Sequence, residues 1–284
     1  MEIINRRQRM ASIARKLRRE NKTVAFVPTM GALHEGHLSL VKEARQMADV
    51  VIVSIFVNPA QFNEDEDFKK YPRDLTGDTS LLTEYGIDYI FAPDAEEIYG
   101  EGFSTYVVVE DLSTKLEGAA RPGHFRGVAT IVTILFNTIR PDFAFFGQKD
   151  AQQTAVIKRL TKDLGFETEI VVHPTIREES GLALSSRNSL LSDEEKQAAA
   201  IIYKALRGAK LAARDGERNA VKLIDMVREK IESEPLAQVD YVALVDNETF
   251  DPIDKLGENE ALLAVAAHFG KTRLIDNVIL NRRQ

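Results

Sequence analysis

Two histidines stand three residues apart in residues 28–37, PTMGALHEGH, which follow an apolar run. The pattern predicts a strand end, a turn and the start of a helix, where backbone N–H groups favour a bound anion. Gly31 and Gly36 allow the backbone to bend and approach a ligand closely. The imidazoles of His34 and His37 would donate hydrogen bonds to phosphate oxygens as charge builds during displacement at an α-phosphate. Alternatively, the histidines only cap the helix, since the HxGH pattern is short.

Other phosphate and metal sites are excluded by spacing and composition. The zinc-protease pattern HExxH needs histidines four residues apart, whereas this chain has HEGH. Neither GxxxxGK followed by Ser or Thr nor GxGxxG occurs. The chain contains no cysteine, which excludes disulfides, thiolate nucleophiles and Cys-ligated zinc.

Neutral amides follow a second apolar run, in residues 56–62, FVNPAQF. Asn58 and Gln61 each offer a donor and an acceptor, which suits the recognition of hydroxyl and carboxylate groups without adding charge. The alternative is a plain Asn-Pro turn.

A third candidate is the segment GQKD at residues 147–150, again between a strand and a helix. Lys149 is placed to reach a phosphate, while Asp150 and Gln153 share a helix face. On the alternative interpretation, Asp150 caps the helix and Lys149 is a solvated charge.

Two further segments carry positive charge. In LSSRN, residues 184–188, the hydroxyls of Ser185 and Ser186 and the guanidinium of Arg187 form a compact anion clamp, although a Ser-rich turn with a solvated arginine is the common alternative. The basic stretch RPGHFR, residues 121–126, either completes a cationic rim or is an ordinary loop.

The elements that must position these segments alternate between strand and helix over the first two-thirds of the chain. Residues 1–21 have the spacing of an amphipathic helix, and continuous β-branched runs are typical of parallel strands covered on both faces. We predict strands at residues 23–29, 49–56, 88–93, 104–110, 142–146 and 168–174. This alternation predicts an α/β fold with a Rossmann-like, doubly wound parallel sheet, which binds ligands beyond the C-terminal ends of its strands.

The pattern changes beyond residue 175. Two helices, at residues 193–215 and 219–233, precede strands at 239–245 and 262–268 and a third apolar run at 273–280. We therefore predict a first domain at residues 1–175 and a smaller C-terminal α+β domain at residues 176–284. Because LSSRN lies at their boundary, we expect the second domain to act as a lid over a nucleotide.

Composition limits the class of protein. The chain has 284 residues, 44% apolar and 29% charged, as in soluble globular proteins, and the net charge of −7 argues against a nucleic-acid partner. Its apolar runs are shorter than the roughly 18 residues that a membrane span needs, and the basic N-terminus has no signal-peptide core. We expect a cytoplasmic enzyme with no membrane partner.

Together these motifs resemble the pantothenate synthetase (pantoate–β-alanine ligase) family. The resemblance rests on PTMGALHEGH, SIFVNPAQF, YPRD, LEGAARPGHFRGV, FFGQKDAQQ, LALSSRN and, at residues 273–277, RLIDN. It covers nearly the whole chain, whereas HxGH alone indicates only the wider superfamily of nucleotidylyltransferases and class I aminoacyl-tRNA synthetases.

The resemblance implies a ligase that joins pantoate to β-alanine through a pantoyl adenylate, consuming ATP and releasing AMP and pyrophosphate. It implies His37, His34, Lys149 and Arg187 as catalytic residues. The implied ATP-binding residues are Met30, Gly31, His34, His37, Gly147, Lys149, Asp150, Ile176, Leu184, Ser185, Ser186 and Arg187.

The resemblance also implies that Gln61 and Gln153 hold pantoate, with Asn58 supporting that pocket and Gln61 also near β-alanine. It implies Mg²⁺ as the companion of ATP, with Asp78 as the candidate metal contact, and a homodimer. Two alternatives stay open: a nucleotidyltransferase that adenylates a phosphorylated acceptor, and a catalytically silent nucleotide-binding protein.

Overall fold

The computed structural model describes residues 1–62, 68–69 and 71–281, and the chain divides into two compact units. The first comprises residues 1–147 and 152–173, and the second comprises residues 148–151 and 174–284. Each unit contains a buried apolar cluster of its own. Residues 148–151, which the sequence assigned to the first domain, thus group with the second.

The first unit contains one six-stranded parallel sheet with the order β1-β4-β3-β2-β5-β6. Its strands are β1 (Glu2–Ile4), β2 (Val24–Thr29), β3 (Val50–Ile55), β4 (Tyr89–Phe91), β5 (Phe143–Gly147) and β6 (Glu169–His173). The central strands are covered on both faces, and consecutive residues of β3 such as Val51, Ile52 and Val53 are fully buried. The predicted Rossmann-like sheet is therefore confirmed.

Helices cover this sheet. They are α1 (Arg7–Arg19), α2 (Glu35–Met47), α3 (Leu75–Thr83), α4 (Ala95–Ile98), α5 (Leu116–Ala120), α6 (His124–Ile139) and α7 (Ala151–Asp163). Short 3₁₀ turns lie at Pro59–Gln61, Leu112–Thr114 and Gln148–Asp150. Among the described residues, no helix combines the length and apolarity needed to cross a membrane.

The strand order reverses between β2 and β5. From β2 the chain continues to β3 and β4 on one side, and it returns to form β5 and β6 on the other. At such a switch point the connections leave in opposite directions and open a crevice beyond the carboxyl ends of the two strands. The turn after β2 and Gly147 at the end of β5 lie at this crevice.

Two local predictions in this unit are wrong. The chain begins with a short edge strand, in which Ile4 pairs with Phe91, and the helix starts only at Arg7. Residues 104–110 do not form a strand, since the backbone N–H of Val107 donates to the side chain of Thr130 instead of to a neighbouring strand.

The second unit is the predicted α+β domain. Its helices are α8 (Asp193–Ala199), α9 (Ile201–Arg214) and α10 (Ala220–Glu232), and its strands are β7 (Ala237–Asp246), β8 (Ala261–Phe269) and β9 (Thr272–Leu280). The strands form an antiparallel sheet in sequence order, with β9 at one edge. The single helix predicted at 193–215 is interrupted at Ala200.

Candidate active site

The two histidines form the N-terminal cap of α2. His34 has extended backbone angles, its Nδ1 accepts the N–H of Gly36 at 3.1 Å, and Nδ1 of His37 faces the backbone N–H of His34 at 3.4 Å. The ring centroids lie 4.1 Å apart. The capping role that the sequence left open is thus present.

This capping also determines where the imidazole protons lie. Because Nδ1 of both His34 and His37 faces a backbone N–H donor, the neutral rings carry their proton on Nε2. Each Nε2–H is a hydrogen-bond donor, which is the group that a phosphate oxygen requires. Capping and phosphate recognition are therefore compatible, since they use different ring nitrogens.

The turn that leads to the histidines has a left-handed backbone, with φ of +80° at Gly31 and +51° at Ala32. A Cβ at Gly31 would also lie 2.9 Å from Oδ2 of Asp78, so glycine is required for space as well as for conformation. The carboxylate of Asp78 accepts the backbone N–H of Ala32 at 3.0 Å and that of Leu33 at 2.8 Å.

Asp78 is only 4% exposed, on α3. Burial raises the pKa of its carboxyl above the ordinary value, although the two backbone hydrogen bonds oppose that shift. Its two oxygens anchor the turn, which is a role that the sequence did not indicate. In the described ranges, no group of three His, Cys, Asp or Glu side chains could hold a metal ion, and the contact with Mg²⁺ stays a prediction.

Asn58 and Gln61 lie in one buried cluster beside this turn. The Asn58 amide donates to Oε1 of Gln61 at 2.9 Å and to the carbonyl of Gly127 at 3.1 Å, and its oxygen accepts the hydroxyl of Tyr99 at 2.7 Å. Nε2 of Gln61 lies 2.9 Å from Sδ of Met30. Asn58 thus orients Gln61, while Gln61 contacts the turn after β2.

The basic segment at 121–126, which enters α6 at His124, fixes the backbone of the same cluster. Nδ1 of the buried His124 lies 2.8 Å from the carbonyl of Gln61, and NH1 of Arg121 lies 3.4 Å from Nε2 of His124. Since a carbonyl oxygen can only accept, Nδ1–H of His124 donates to Gln61. Close packing adds a constraint, because a Cβ at Gly127 would lie 2.2 Å from the carbonyl oxygen of Ala60.

At the end of β5, the hydroxyl of Thr154 lies 3.5 Å from the carbonyl of Gly147. The neighbouring Gln152 is buried and hydrogen-bonds the backbones of Leu112, Lys115 and Glu117, whereas Gln153 is partly exposed on α7. Asp150 ends the 3₁₀ turn Gln148–Asp150 and Gln153 lies in the first turn of α7, so the two residues follow each other directly along the chain without belonging to one α-helix.

The second unit brings together its own predicted residues. Lys149 and Ser185 line one cavity, and Nζ of Lys149 lies 3.5 Å from Oδ1 of Asp150. Leu184 donates its backbone N–H to the carbonyl of Ile176 at 2.9 Å. Oγ of Ser185 accepts the N–H of Arg187 and begins the 3₁₀ turn Ser186–Leu190, so the Ser-rich turn of the alternative interpretation is also present.

Sequence reasoning missed several residues that support these groups. Tyr99, whose burial raises the pKa of its hydroxyl, has no motif around it. Asp276 and Asn277 lie within the RLIDN motif, which marked the segment without indicating a role for either residue.

Comparison with known proteins agrees with this geometry. The sequence model of the pantoate–β-alanine ligase family matches residues 2–279. Pantothenate synthetase of Heliobacterium modesticaldum is 50% identical over 280 residues, 99% of each chain.

Solved structures give the same result. The crystal structure of pantothenate synthetase from Thermus thermophilus superimposes with a TM-score of 0.90 at 43% identity, covering 98% of this chain and 99% of that one. That of pantoate–β-alanine ligase from Francisella tularensis, in complex with β,γ-ATP and β-alanine, gives a TM-score of 0.81 at 37% identity, covering 98% and 97%. The chain therefore belongs to the family of ATP-dependent pantoate–β-alanine ligases.

Proposed function

We propose that the protein makes pantothenate, AMP and pyrophosphate from pantoate, β-alanine and ATP through a pantoyl-adenylate intermediate. The observation that carries the proposal is the 2.9 Å contact between Gln61 Nε2 and Met30 Sδ. It joins a cluster of neutral amides, suited to a hydroxy acid, to a turn whose histidines present donors suited to a phosphate. An acid and an α-phosphate bound there would be neighbours.

In the first step a carboxylate oxygen of pantoate attacks the α-phosphorus of ATP. The bond to the bridging oxygen breaks, and pyrophosphate leaves with that electron pair. The Nε2–H groups of His34 and His37 stabilise the charge that builds on the phosphate oxygens, with His37 assisting the departure of pyrophosphate. Lys149 and Arg187 add positive charge. The remaining ATP contacts come from Met30, Gly31, Gly147, Asp150, Ile176, Leu184, Ser185 and Ser186.

In the second step the neutral amine of β-alanine attacks the acyl carbon of the mixed anhydride. The amine nitrogen forms the amide bond, AMP leaves with the electron pair of the acyl–oxygen bond, and the proton lost by the nitrogen passes to the phosphate of the departing AMP. Gln61 and Gln153 hold the hydroxyl groups of pantoate, and Asn58 keeps Gln61 in orientation. Positioning and charge stabilisation suffice, so no covalent enzyme intermediate is required of a chain that has no cysteine.

We further propose that Mg²⁺ arrives with ATP. Mg²⁺ in such sites is bound by one or two carboxylates together with substrate phosphates. The residues fit this mode, because each oxygen of Asp78 has one hydrogen bond to a backbone N–H and keeps acceptor capacity. A bound Mg²⁺ would neutralise phosphate charge, and Asp78 is its candidate protein contact.

The proposal includes a homodimer in the cytoplasm, with residues 176–284 acting as a lid. These parts rest on the family resemblance and on the position of LSSRN along the chain. Light scattering on the purified protein tests the dimer, and a dilution-independent mass of one chain would contradict it.

The experiment that tests the function measures pyrophosphate release from ATP with three acceptors: pantoate, other small acids, and phosphorylated acceptors. We expect pyrophosphate release with pantoate and with neither of the other two classes of acceptor. The alternative, a nucleotidyltransferase acting on a phosphorylated acceptor, would need cationic groups facing that acceptor, whereas Asn58, Gln61 and Gln153 are neutral. Release with a phosphorylated acceptor and none with pantoate would overturn the proposal.

A further inference from the structure

We propose that Asn277 and Asp276, adjacent on β9, are positioning residues that align the two ATP-binding segments of the second unit. These segments are Gln148–Asp150, which carries Lys149, and residues 176–187, which carry Ser185 and Arg187. The inference rests on the proposed function, because that function assigns phosphate contacts to both segments.

Asn277 holds the first segment by its side chain alone. The side chain is 5% exposed, its Nδ2 donates to the carbonyls of Gln148 at 3.0 Å and Lys149 at 2.9 Å, and its oxygen accepts Nε2 of Gln148 at 3.0 Å. Only a primary amide supplies two donors and an acceptor in this planar arrangement. Asn277 thus fixes the peptide groups on both sides of the Lys149 Cα.

Asp276 holds the second segment through Arg177. The carboxylate, 4% exposed, accepts both terminal nitrogens of Arg177, at 2.5 and 2.9 Å. The guanidinium also donates to the carbonyl of Gly181 at 3.2 Å and lies 3.7 Å from the centroid of the Tyr203 ring. Two charge-assisted bonds in a planar fork allow little freedom of orientation. The segment's own backbone pairs, from Ile176 to Leu184, carry this constraint to Ser185.

The two constraints are coupled at β9. Successive side chains of a strand point to opposite faces, so neighbouring residues reach different segments from one rigid element. The backbone N–H of Asn277 also donates to Oδ1 of Asp276 at 2.8 Å. Lys149, Ser185 and Asp276 line the same cavity, so the two segments meet there within the second unit. Because Arg177 neutralises Asp276, the carboxylate does not repel an anion bound in that cavity.

Asn277→Asp is the sharpest test, because it keeps the shape and the acceptor of the side chain but removes both donors to the 148–149 backbone. Adenylation is followed by ATP–pyrophosphate exchange with pantoate, and the second step by supplying preformed pantoyl adenylate with β-alanine. Since an error of about 1 Å in a positioned group can cost about a hundredfold in rate, we expect exchange to fall between about tenfold and a hundredfold. The second step should change by less than about twofold. Asn277→Ala should have the same effects as Asn277→Asp on the two steps.

Asn281→Ala is the matched control. It removes the same side chain four residues further along, where the amide contacts Glu260 instead of the Lys149 segment. Both steps should keep their wild-type rates in this variant. Equal losses in both steps of Asn277→Asp would indicate only a structural role and would overturn the inference, as would an exchange rate equal to that of the wild type.

A double-mutant cycle tests whether Asn277 acts through Lys149. In a Lys149→Ala background, Asn277→Asp should lower exchange by no more than about twofold, because the group that it aligns is already absent. Full additivity would contradict the inference. If the wild-type protein shows no pantoate-dependent exchange, the proposed function fails. If the wild-type protein exchanges normally and Asn277→Asp exchanges equally well, only the inference about Asn277 fails.

Discussion

The carboxylate of Asp78 accepts the backbone N–H of Leu33 at 2.8 Å, across 45 residues of sequence. Together with its bond to Ala32, this contact holds the left-handed turn before the two histidines. The position of His34 and His37 therefore depends on α3, an element far away along the chain.

Asp78→Asn should lower the rate of adenylation by at least about tenfold at saturating Mg²⁺. The two N–H groups are accepted by different carboxylate oxygens, and asparagine replaces one of these oxygens with an NH₂ group, so one donor of the turn loses its acceptor. The measurement is pantoate-dependent exchange across a Mg²⁺ titration. A normal rate at saturating Mg²⁺ would contradict the anchoring role. A higher Mg²⁺ midpoint would support the metal contact of Asp78, and an unchanged midpoint would argue against it.

His37→Ala and Lys149→Ala should each slow adenylation by about a hundredfold, because each removes a group placed to stabilise phosphate charge. Preformed pantoyl adenylate and β-alanine should restore most of the flux. His268→Ala, on β8, is the control and should leave both steps unchanged. If the two variants are equally slow with the preformed intermediate, their assigned roles are wrong.

The amide cluster predicts strong discrimination against acids without hydroxyl groups. A site that hydrogen-bonds a substrate hydroxyl can reject the analogue lacking it by roughly ten-thousandfold, because its own polar groups are left unpaired. The rate of ATP–pyrophosphate exchange should therefore be far higher with pantoate than with its deoxy analogue. Gln61→Ala and Gln153→Ala should reduce this difference mainly by lowering the rate with pantoate. Exchange must occur without β-alanine. A strict requirement for β-alanine would remove the support for a separate adenylate.

Gly127→Ala should weaken both the fold and the amide cluster. Its new Cβ would lie 2.2 Å from the carbonyl oxygen of Ala60, which forces α6 away from the turn that carries Gln61. Overpacking of this kind costs about 1–3 kcal/mol of unfolding free energy, and KM for pantoate should rise. Gly208→Ala on α9 is the matched control, since nothing lies within 4 Å of its new Cβ. Chemical denaturation should show no destabilisation of that variant, and equal effects of the two substitutions would contradict the packing argument.

A variant that ends at Thr175 should bind ATP weakly and make no product. It lacks residues 176–187 and also Asn277, which holds the backbone of Lys149. Isothermal titration with ATP and a coupled AMP assay measure the two effects. Normal turnover by this variant would contradict the role assigned to the second unit.

Sequence alone predicted the sheet because its signal is local. Residues 50–53 form an uninterrupted apolar, β-branched run, and such a run has few alternatives to a buried strand. By contrast, β1 has only three residues, which is too few to show a periodic pattern of apolar residues. It forms because it pairs with β4, where Ile4 lies opposite Phe91. Residues 104–110 have strand-like composition, but tertiary contacts give them another conformation.

The candidate site was predictable in its chemistry and not in its support. The HxGH, Asn58–Gln61 and GQKD motifs contain imidazole, amide and lysine side chains, and these residue types by themselves indicate the groups that they could bind. Asp78, Tyr99 and Asn277 act on partners 46, 41 and 128 residues away, and no local pattern records such distances. The RLIDN motif includes Asn277, but only the structure shows that its side chain contacts the backbone of Gln148 and Lys149.

The contact between Asn277 and the backbone of Lys149 has a consequence for how the protein is made. At synthesis rates of about 5–20 residues per second, the 128 residues between the two positions take roughly 6–26 seconds to translate. During that interval the first sheet can fold, since β1 to β6 precede β7. The segment that carries Lys149 cannot yet contact Asn277, because β9 has not been synthesised. A nascent chain can therefore complete the first sheet before the backbone around Lys149 acquires its contacts with Asn277, which form only after β9 has been synthesised.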